Sequence, residues 1–320
     1  MSQEKISIII AVYNDGDTLE RAVTSALNSD YKNLEVIVVD DGSTDGGVDK
    51  IHYLKNNFEN LTVVKQKNMG LPGARDSGIK NATGDFITFL DADDELSPQK
   101  IIKQMNALKG SREASIVFTG GKKISENDDM SLVCCIDHEG HYLNITDQYC
   151  KRSIRPPTAS MMLFKKLYLE LGGFNKNLKA GSEFEFFTRD IAGNIEFILV
   201  PEQLYLQYIR SDSLRNNGNG RDQGYKALLS LLEGLILKEK EKYTQKKLIK
   251  YVDGKMLEIW ISSFNWNREV RTNIIKTMIL TSYCPFKYKI IFILSYILPG
   301  KLLKIIRKNI TFFSGLKYNY

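Results

Sequence analysis

Asp91-Ala92-Asp93-Asp94 sets three carboxylates directly after the apolar run Phe86-Ile87-Thr88-Phe89-Leu90. An unpartnered buried carboxylate is costly, so such a cluster at a strand end calls for water, a cation or hydrogen-bond donors. Hard divalent cations take oxygen ligands, and magnesium-type sites combine one or two carboxylates with substrate phosphates. The Asp-x-Asp spacing of Asp91 and Asp93 suits that chemistry, although acidic turns after strands are also commonly solvated. Tyr13-Asn14-Asp15, Asp40-Asp41-Gly42-Ser43 and Gly70-Leu71-Pro72-Gly73-Ala74-Arg75 supply further candidates. A tyrosine ring can stack on a base, carboxylates can accept from base or ribose, and arginine can fork onto phosphate. Each also has a plain alternative: Tyr13 as a cap on the core, Asp41 in an Asx-type turn, Arg75 as a solvated charge.

The elements that must position these residues decide between the two. Ile6–Val12, Leu34–Val39, Leu61–Lys65 and Phe86–Leu90 are short, nearly all-apolar runs that predict strands. Between them lie a helical pattern over Thr18–Asn28, an irregular helix between Gly46 and Asn57, and a helix over Leu71–Asn81 entered through Pro72 and Gly73. Buried strands alternating with helices imply a parallel sheet covered on both faces. Ligands of such sheets bind outside the carboxyl ends of the strands. All four polar groups fall at that edge, which suits a nucleoside diphosphate with a metal.

The bulk properties exclude several classes. At 320 residues, 43% hydrophobic and 26% charged, the chain is expected to fold rather than to be disordered. The polar start Met1-Ser2-Gln3-Glu4-Lys5 lacks the apolar segment of a signal peptide. Cys134, Cys135, Cys150 and Cys284 show no zinc spacing, and three histidines make a histidine-rich metal site improbable. A cytoplasmic location is expected. The net charge of +6 is concentrated at the end: from Val270 onward every charged side chain is Lys or Arg. A basic nucleic-acid surface over the N-terminal domain is therefore not expected.

SIIIAVYND (Ser7–Asp15), VVDDGSTDGG (Val38–Gly47), NMGLPGARDSGI (Asn68–Ile79) and FLDADDEL (Phe89–Leu96) resemble, in order and spacing, the motifs of the family 2 inverting glycosyltransferases. The similarity continues through PPTASMMLFKKLYLELGGF (Pro156–Phe174) and GSEFEFFTRD (Gly181–Asp190). The resemblance implies a GT-A fold: an α/β, Rossmann-like, mostly parallel sheet with helices on both faces. The catalytic domain would span residues 1–220, with a nucleotide-sugar half to about residue 95 and an acceptor half over 96–220. It implies that Asp41 contacts the base beside Tyr13 and the Ala11 backbone, and that Arg75 approaches the base or diphosphate. Asp91 would lie near the ribose or the metal's waters and Ala92 beside the nucleotide sugar, with Asp93 the ligand of a divalent cation, Mn²⁺ or Mg²⁺, that bridges the diphosphate. The general base of the family sits in a Glu-Asp pair, for which this chain has Ser182-Glu183; Glu183 is the expected catalytic base and Glu185 its competitor. Many relatives carry a histidine near Tyr205–Leu214; here none is present, and Arg210 is the candidate for neutralising the diphosphate.

Residues 221–320 read as a helical, basic, amphipathic region, with helices over Tyr225–Leu237, Leu248–Phe264 and Asn273–Leu280. Phe286–Leu298 is too short to span a bilayer, and Lys301–Lys308 alternates basic and aliphatic residues in helical period. An acid-free amphipathic segment implies an interfacial anchor on an anionic membrane, each cation adding about 1 kcal/mol. The combined expectation is a peripheral enzyme on the inner face of the cytoplasmic membrane. It would move sugar from a nucleotide sugar, UDP-linked, to a glycan or lipid-linked acceptor in surface-polysaccharide synthesis. One rival is an inactive relative serving as an assembly component, motivated by Ser182-Glu183. The other is a sugar nucleotidyltransferase, which needs a Gly- and Arg-rich loop where this chain has Tyr13-Asn14-Asp15-Gly16-Asp17.

Overall fold

Strict alternation along the first strand sets the layering. In β1 (Ile6–Val12) the residues Ile6, Ile8, Ile10 and Val12 enter one buried cluster, while Ile9 enters a second on the opposite face. Successive strand side chains point to opposite faces, so a run apolar on both of them must be covered twice. α1 (Gly16–Leu27) covers the first face with Leu19, Ala22, Val23 and Ala26. β2 (Leu34–Asp40) follows, then a 3₁₀ turn (Gly47–Ile51) running into α2 (His52–Asn57), then β3 (Leu61–Lys65). α3 (Gly70–Asn81) covers the second face with Ala74 and Ile79 and leads to β4 (Phe86–Asp91). Gly78 lets α3 lie against β1, since a Cβ there would overlap the Ile9 side chain.

The computed structural model describes residues 4–111, 113–124, 130–134, 140–143, 157–176, 182–183, 186 and 195–209. All of them lie in the first of two compact units, Met1–Asn216 and Asn217–Tyr320. The C-terminal helices and membrane anchor expected from the sequence, with Arg210 and Glu185, lie outside the described residues. Among those described, no helix is long and apolar enough to cross a membrane.

Beyond β4 come β5 (Glu95–Leu96), α4 (Lys100–Ala107), β6 (Ser115–Ile124), β7 (Met130–Cys134) and β8 (Gly140–Leu143). A 3₁₀ turn (Thr158–Ser160) then enters β9 (Met161–Phe164), followed by α5 (Lys165–Glu170) and β10 (Glu196–Tyr208). The sheet runs β3-β2-β1-β4-β9-β6-β10-β5, with β7 on β6 and β8 on β10. Its first four strands are parallel, as the sequence predicts. The second half is mixed: β9 is antiparallel to both β4 and β6, and β10 runs parallel to β6.

α4 packs into the sheet with an unusual pair of buried residues, Lys100 and Gln104. Lys100 Nζ donates to Thr88 Oγ1 at 2.9 Å, and burial pushes its pKa from 10.5 down to about 7. The unfolded chain keeps that proton until about pH 10.5, whereas the folded protein releases it near 7. Stability should therefore rise across that window by up to about 1.4 kcal/mol per pH unit. Lys100→Met should flatten this rise, which denaturant titrations at pH 7 and 9.5 would measure.

Candidate active site

The loops leaving β1 and β2 are fastened to each other before any ligand arrives. Asn14, at φ 54°, takes a hydrogen bond from Thr44 N on its Oδ1 (2.8 Å), and its own N donates to Ser43 Oγ (3.1 Å). Asp40 Oδ1, and not Asp41 as the plain reading of the sequence allows, accepts from Ser43 N at 2.8 Å and closes this turn. Asp45 accepts from Gly16 N (2.9 Å) and Gly47 N (3.0 Å), which hold its carboxyl below the usual range. It thereby satisfies an orphan N–H at the start of α1 from a loop 29 residues away. Gly16 and Gly47 touch backbone to backbone, so a Cβ on either would overlap the Cα of the other. This is why α1 begins at Gly16, two residues before the start predicted from periodicity.

Asp41 lies in the floor of this cradle. It is buried, and its Oδ1 accepts from Gln66 Nε2 (2.7 Å) and Met69 N (2.8 Å). Ala11 lies one residue before Val12, whose carbonyl accepts from Asp41 N at 2.9 Å. Tyr13 stands at the rim, 49% exposed, with Met69 and Leu71 also exposed. A tyrosine exposed at a strand end is available to stack and does not cap the core.

Arg75 is neither a solvated charge nor a free phosphate fork. Its side chain is 3% exposed, with Nη2 on Asp91 Oδ1 at 2.8 Å and Nη1 on Glu183 Oε1 at 3.3 Å. Phe89 and Phe174 face the guanidinium at 5.6 and 5.5 Å. Burial opposes its charge, but Asp91 and Glu183 outweigh that and keep it protonated. The resemblance directs Arg75 toward base or diphosphate; here its guanidinium links the strand-four carboxylate to the expected base. Tyr168 and Phe186 complete the aromatic packing, stacked at 5.3 Å, and Phe186 lies three residues beyond Glu183. Tyr168 OH donates to Asp76 Oδ1 and accepts from Phe174 N, both at 2.8 Å.

Glu183 keeps 30% of its side chain exposed. Thr158 Oγ1 donates to its Oε1 at 2.9 Å, so Arg75 and Thr158 meet on one oxygen. Burial pushes this carboxyl up, but the charge of Arg75, a backbone hydrogen bond and Thr158 outweigh it, and its pKa is lowered from 4.5. It is ionised at neutral pH, as a general base must be.

The turn after β4 is held from two sides. Asp94 N donates to Asp91 O at 3.1 Å, and the buried Asp94 carboxylate accepts from Tyr208 N at 3.0 Å. Arg21 Nη2 donates to Asp93 O at 2.6 Å, and its guanidinium lies over the Tyr208 ring at 3.7 Å. Ala92 is buried within the turn, and the side chains of Asp91 and Asp93 are partly exposed. Among the described residues no three His, Cys, Asp or Glu side chains converge as a ready metal cage. A cation that shares its shell with substrate phosphates needs only one or two carboxylates, and the oxygen donors of this turn fit that type. The sequence did not single out Thr158, Gln66, Arg21, Tyr168 or Phe186. Thr158, Tyr168 and Phe186 lie within motifs quoted above, but most of the partners that give all five their place are remote in the chain.

Comparison with known proteins decides the family. Residues 7–170 match the family described as Glycosyl transferase family 2. The chain belongs to this family. As a family 2 chain it is 41% identical over 106 residues to WfaP of Escherichia coli, named a UDP-Glc:alpha-D-GlcNAc-diphosphoundecaprenol beta-1,3-glucosyltransferase; the match covers 33% of this chain and 42% of WfaP. An uncharacterized glycosyltransferase of Rickettsia felis is 38% identical over 191 residues, 58% of this chain and 31% of the relative. The matched stretches span less than half the length of these curated relatives. The crystal structure of S. aureus TarS 1-349 in complex with UDP-GlcNAc superposes with a TM-score of 0.72 over 88% of this chain and 82% of that one, at 17% identity. That likeness shows the GT-A fold.

Proposed function

We propose that this family 2 protein is a metal-dependent, inverting glycosyltransferase that moves sugar from a UDP-sugar to a hydroxyl of a glycan or lipid-linked acceptor in bacterial surface-glycan synthesis. The observation that carries the proposal is Glu183: an ionised, partly exposed carboxylate on whose Oε1 the Thr158 and Arg75 side chains meet, tied through Arg75 to Asp91. In this role Glu183 takes the acceptor hydroxyl proton as the acceptor oxygen bonds to the anomeric carbon. The bond from that carbon to the diphosphate oxygen breaks, and its electron pair leaves with the nucleoside diphosphate. Attack opposite the leaving group inverts the centre, so an α-linked donor gives a β-linked product. One base suffices, unlike the paired carboxylates of hydrolases.

Asp41 and Tyr13 form the base pocket, with the Ala11 backbone beside them, and Asp91 and Ala92 line the way to the diphosphate. Asp93 would hold Mn²⁺ or Mg²⁺, and when bound such a cation neutralises charge on the leaving diphosphate. The names of two similar proteins support the donor and acceptor classes: WfaP uses UDP-Glc on a diphosphoundecaprenol acceptor, and TarS crystallises with UDP-GlcNAc. An acceptor on a lipid fits the acid-free C-terminal segment, which would bring the protein to the anionic cytoplasmic leaflet.

Thermal denaturation with UDP, UDP-glucose and UDP-GlcNAc, with and without Mn²⁺, tests the donor side. A ligand at a hundred times its Kd adds about 2.7 kcal/mol to the folded state. Manganese should enlarge the rise in midpoint. No shift with any UDP-sugar overturns the donor assignment, and an equal shift without the cation overturns metal dependence in binding.

A further inference from the structure

We propose that Thr158 is the positioning residue for the base: its hydroxyl holds Glu183 Oε1 so that Oε2 faces the acceptor, and a buried polar brace from α4 fixes the turn that carries it. The inference rests on Glu183 being the base.

A threonine hydroxyl has one hydrogen to give, and Thr158, 3% exposed, gives it to Glu183 at 2.9 Å. Arg75 reaches the same oxygen at the longer distance of 3.3 Å. Among the described residues the two side-chain donors to Glu183 both fall on Oε1, which assigns Oε2 to the proton arriving from the acceptor. Arg75 also serves Asp91, whereas Thr158 Oγ1 has Glu183 as its hydrogen-bond partner here.

The turn under Thr158 is fixed with unusual polar investment for a core. Pro157 O accepts from both Ser160 N (2.9 Å) and Ser160 Oγ (2.7 Å), closing the 3₁₀ turn twice. Gln104 Nε2 then donates to Ser160 O at 2.8 Å and to Val117 O at 3.3 Å. Thr88 Oγ1 donates to Met161 O at 2.6 Å, and Lys100 Nζ fills a lone pair of that hydroxyl at 2.9 Å. Lys100 thus dictates which way the Thr88 hydrogen points. Lys100, Gln104, Thr88 and Ser160 are each fully buried. Apolar residues of similar volume commonly pack a core as well or better than buried charged groups. Here the polar groups converge on the carbonyls of Pro157, Ser160 and Met161 around Thr158, which holds its backbone in place.

The test uses Thr158→Val, which keeps shape and removes the donor, Thr158→Ser, which restores it, and Glu183→Gln as the reference. The readouts are the midpoint shift with UDP and Mn²⁺, and the pH dependence of UDP release from the UDP-sugar that binds, with water as acceptor. Losing a hydrogen bond to a charged group should lower kcat roughly ten- to a hundred-fold. KM for the donor and the UDP shift should stay near wild type. The acid limb of kcat should move to higher pH, because one group holding the carboxyl down is gone, and Thr158→Ser should return it. Gln104→Met, which loosens the turn without touching Glu183, should lower kcat in the same direction. If Thr158→Val does not fold, Thr158→Ala gives the same readouts. A valine or alanine variant with wild-type kcat and an unmoved acid limb overturns the inference while an inactive Glu183→Gln keeps the base reading. An active Glu183→Gln, or a wild type that binds UDP-sugars and releases no UDP, overturns the base reading itself.

Discussion

Glu183→Gln should lower sugar transfer by roughly 10²–10⁴-fold, the range typical of losing a general base. UDP binding should be retained. The amide keeps the length of the side chain and an oxygen that can still accept from Thr158 and Arg75, so the constellation should persist. What disappears is the carboxylate proposed to receive the acceptor proton. Arg75 still has Asp91 at 2.8 Å, so its charge is not stranded. Initial rates of transfer, set beside the midpoint shift with UDP and Mn²⁺, separate the two effects. A variant that transfers at the wild-type rate would place the base elsewhere.

Arg75→Met should damage both stability and chemistry. Removing one partner of a buried ion pair costs 3–5 kcal/mol in general. Asp91 and Glu183 keep 35% and 30% of their side chains in water, which places the loss at the lower end, about 3 kcal/mol. The pH dependence of stability should weaken as well. In the wild type, the lowered carboxyl of Glu183 adds stability above its unfolded value of 4.5, and this is lost as pH falls through the folded pKa. Without Arg75 the strongest group holding that carboxyl down is gone, while a backbone hydrogen bond and Thr158 remain. The folded variant therefore loses less stability than the wild type as the solution is acidified below that value. Urea denaturation of both proteins at about pH 7 and about pH 4 should show the gap narrowing in acid. A constant gap would mean that Arg75 stabilises through its aromatic contacts with Phe89 and Phe174 and not through charge.

The two halves of the catalytic unit differed in how far the sequence exposed them. β1 and β3 begin and end where the apolar runs do: the central β1 is buried on both faces and apolar except for Ser7, while the edge strand β3 exposes Thr62 and Lys65. β2 and β4 each run one residue further, to Asp40 and Asp91, since backbone pairing continues past the last apolar side chain. The parallel order β3-β2-β1-β4 follows from β-α-β connection, which makes it local in origin. No such rule governs the insertion of β9 between β4 and β6, an antiparallel pairing across more than seventy residues. Hydrophobic pattern says that such strands exist without saying whom they pair with.

The sequence alone determined the chemistry available to this protein: an aromatic residue, Asp41, Arg75 and the Asp91–Asp94 turn at one sheet edge, and Glu183 as the expected base. Strand termini and motif spacing are local facts, and they carried that much. Only the tertiary structure decided how those charges are spent. It buried Arg75 between Asp91 and Glu183, set Thr158 against the same carboxylate oxygen, and tied the acidic turn to Arg21 and Tyr208. These partners are brought together by packing across the sheet. A charge states its sign in the sequence, but its partner, and with it its pKa and its role, is fixed by which elements the core brings side by side.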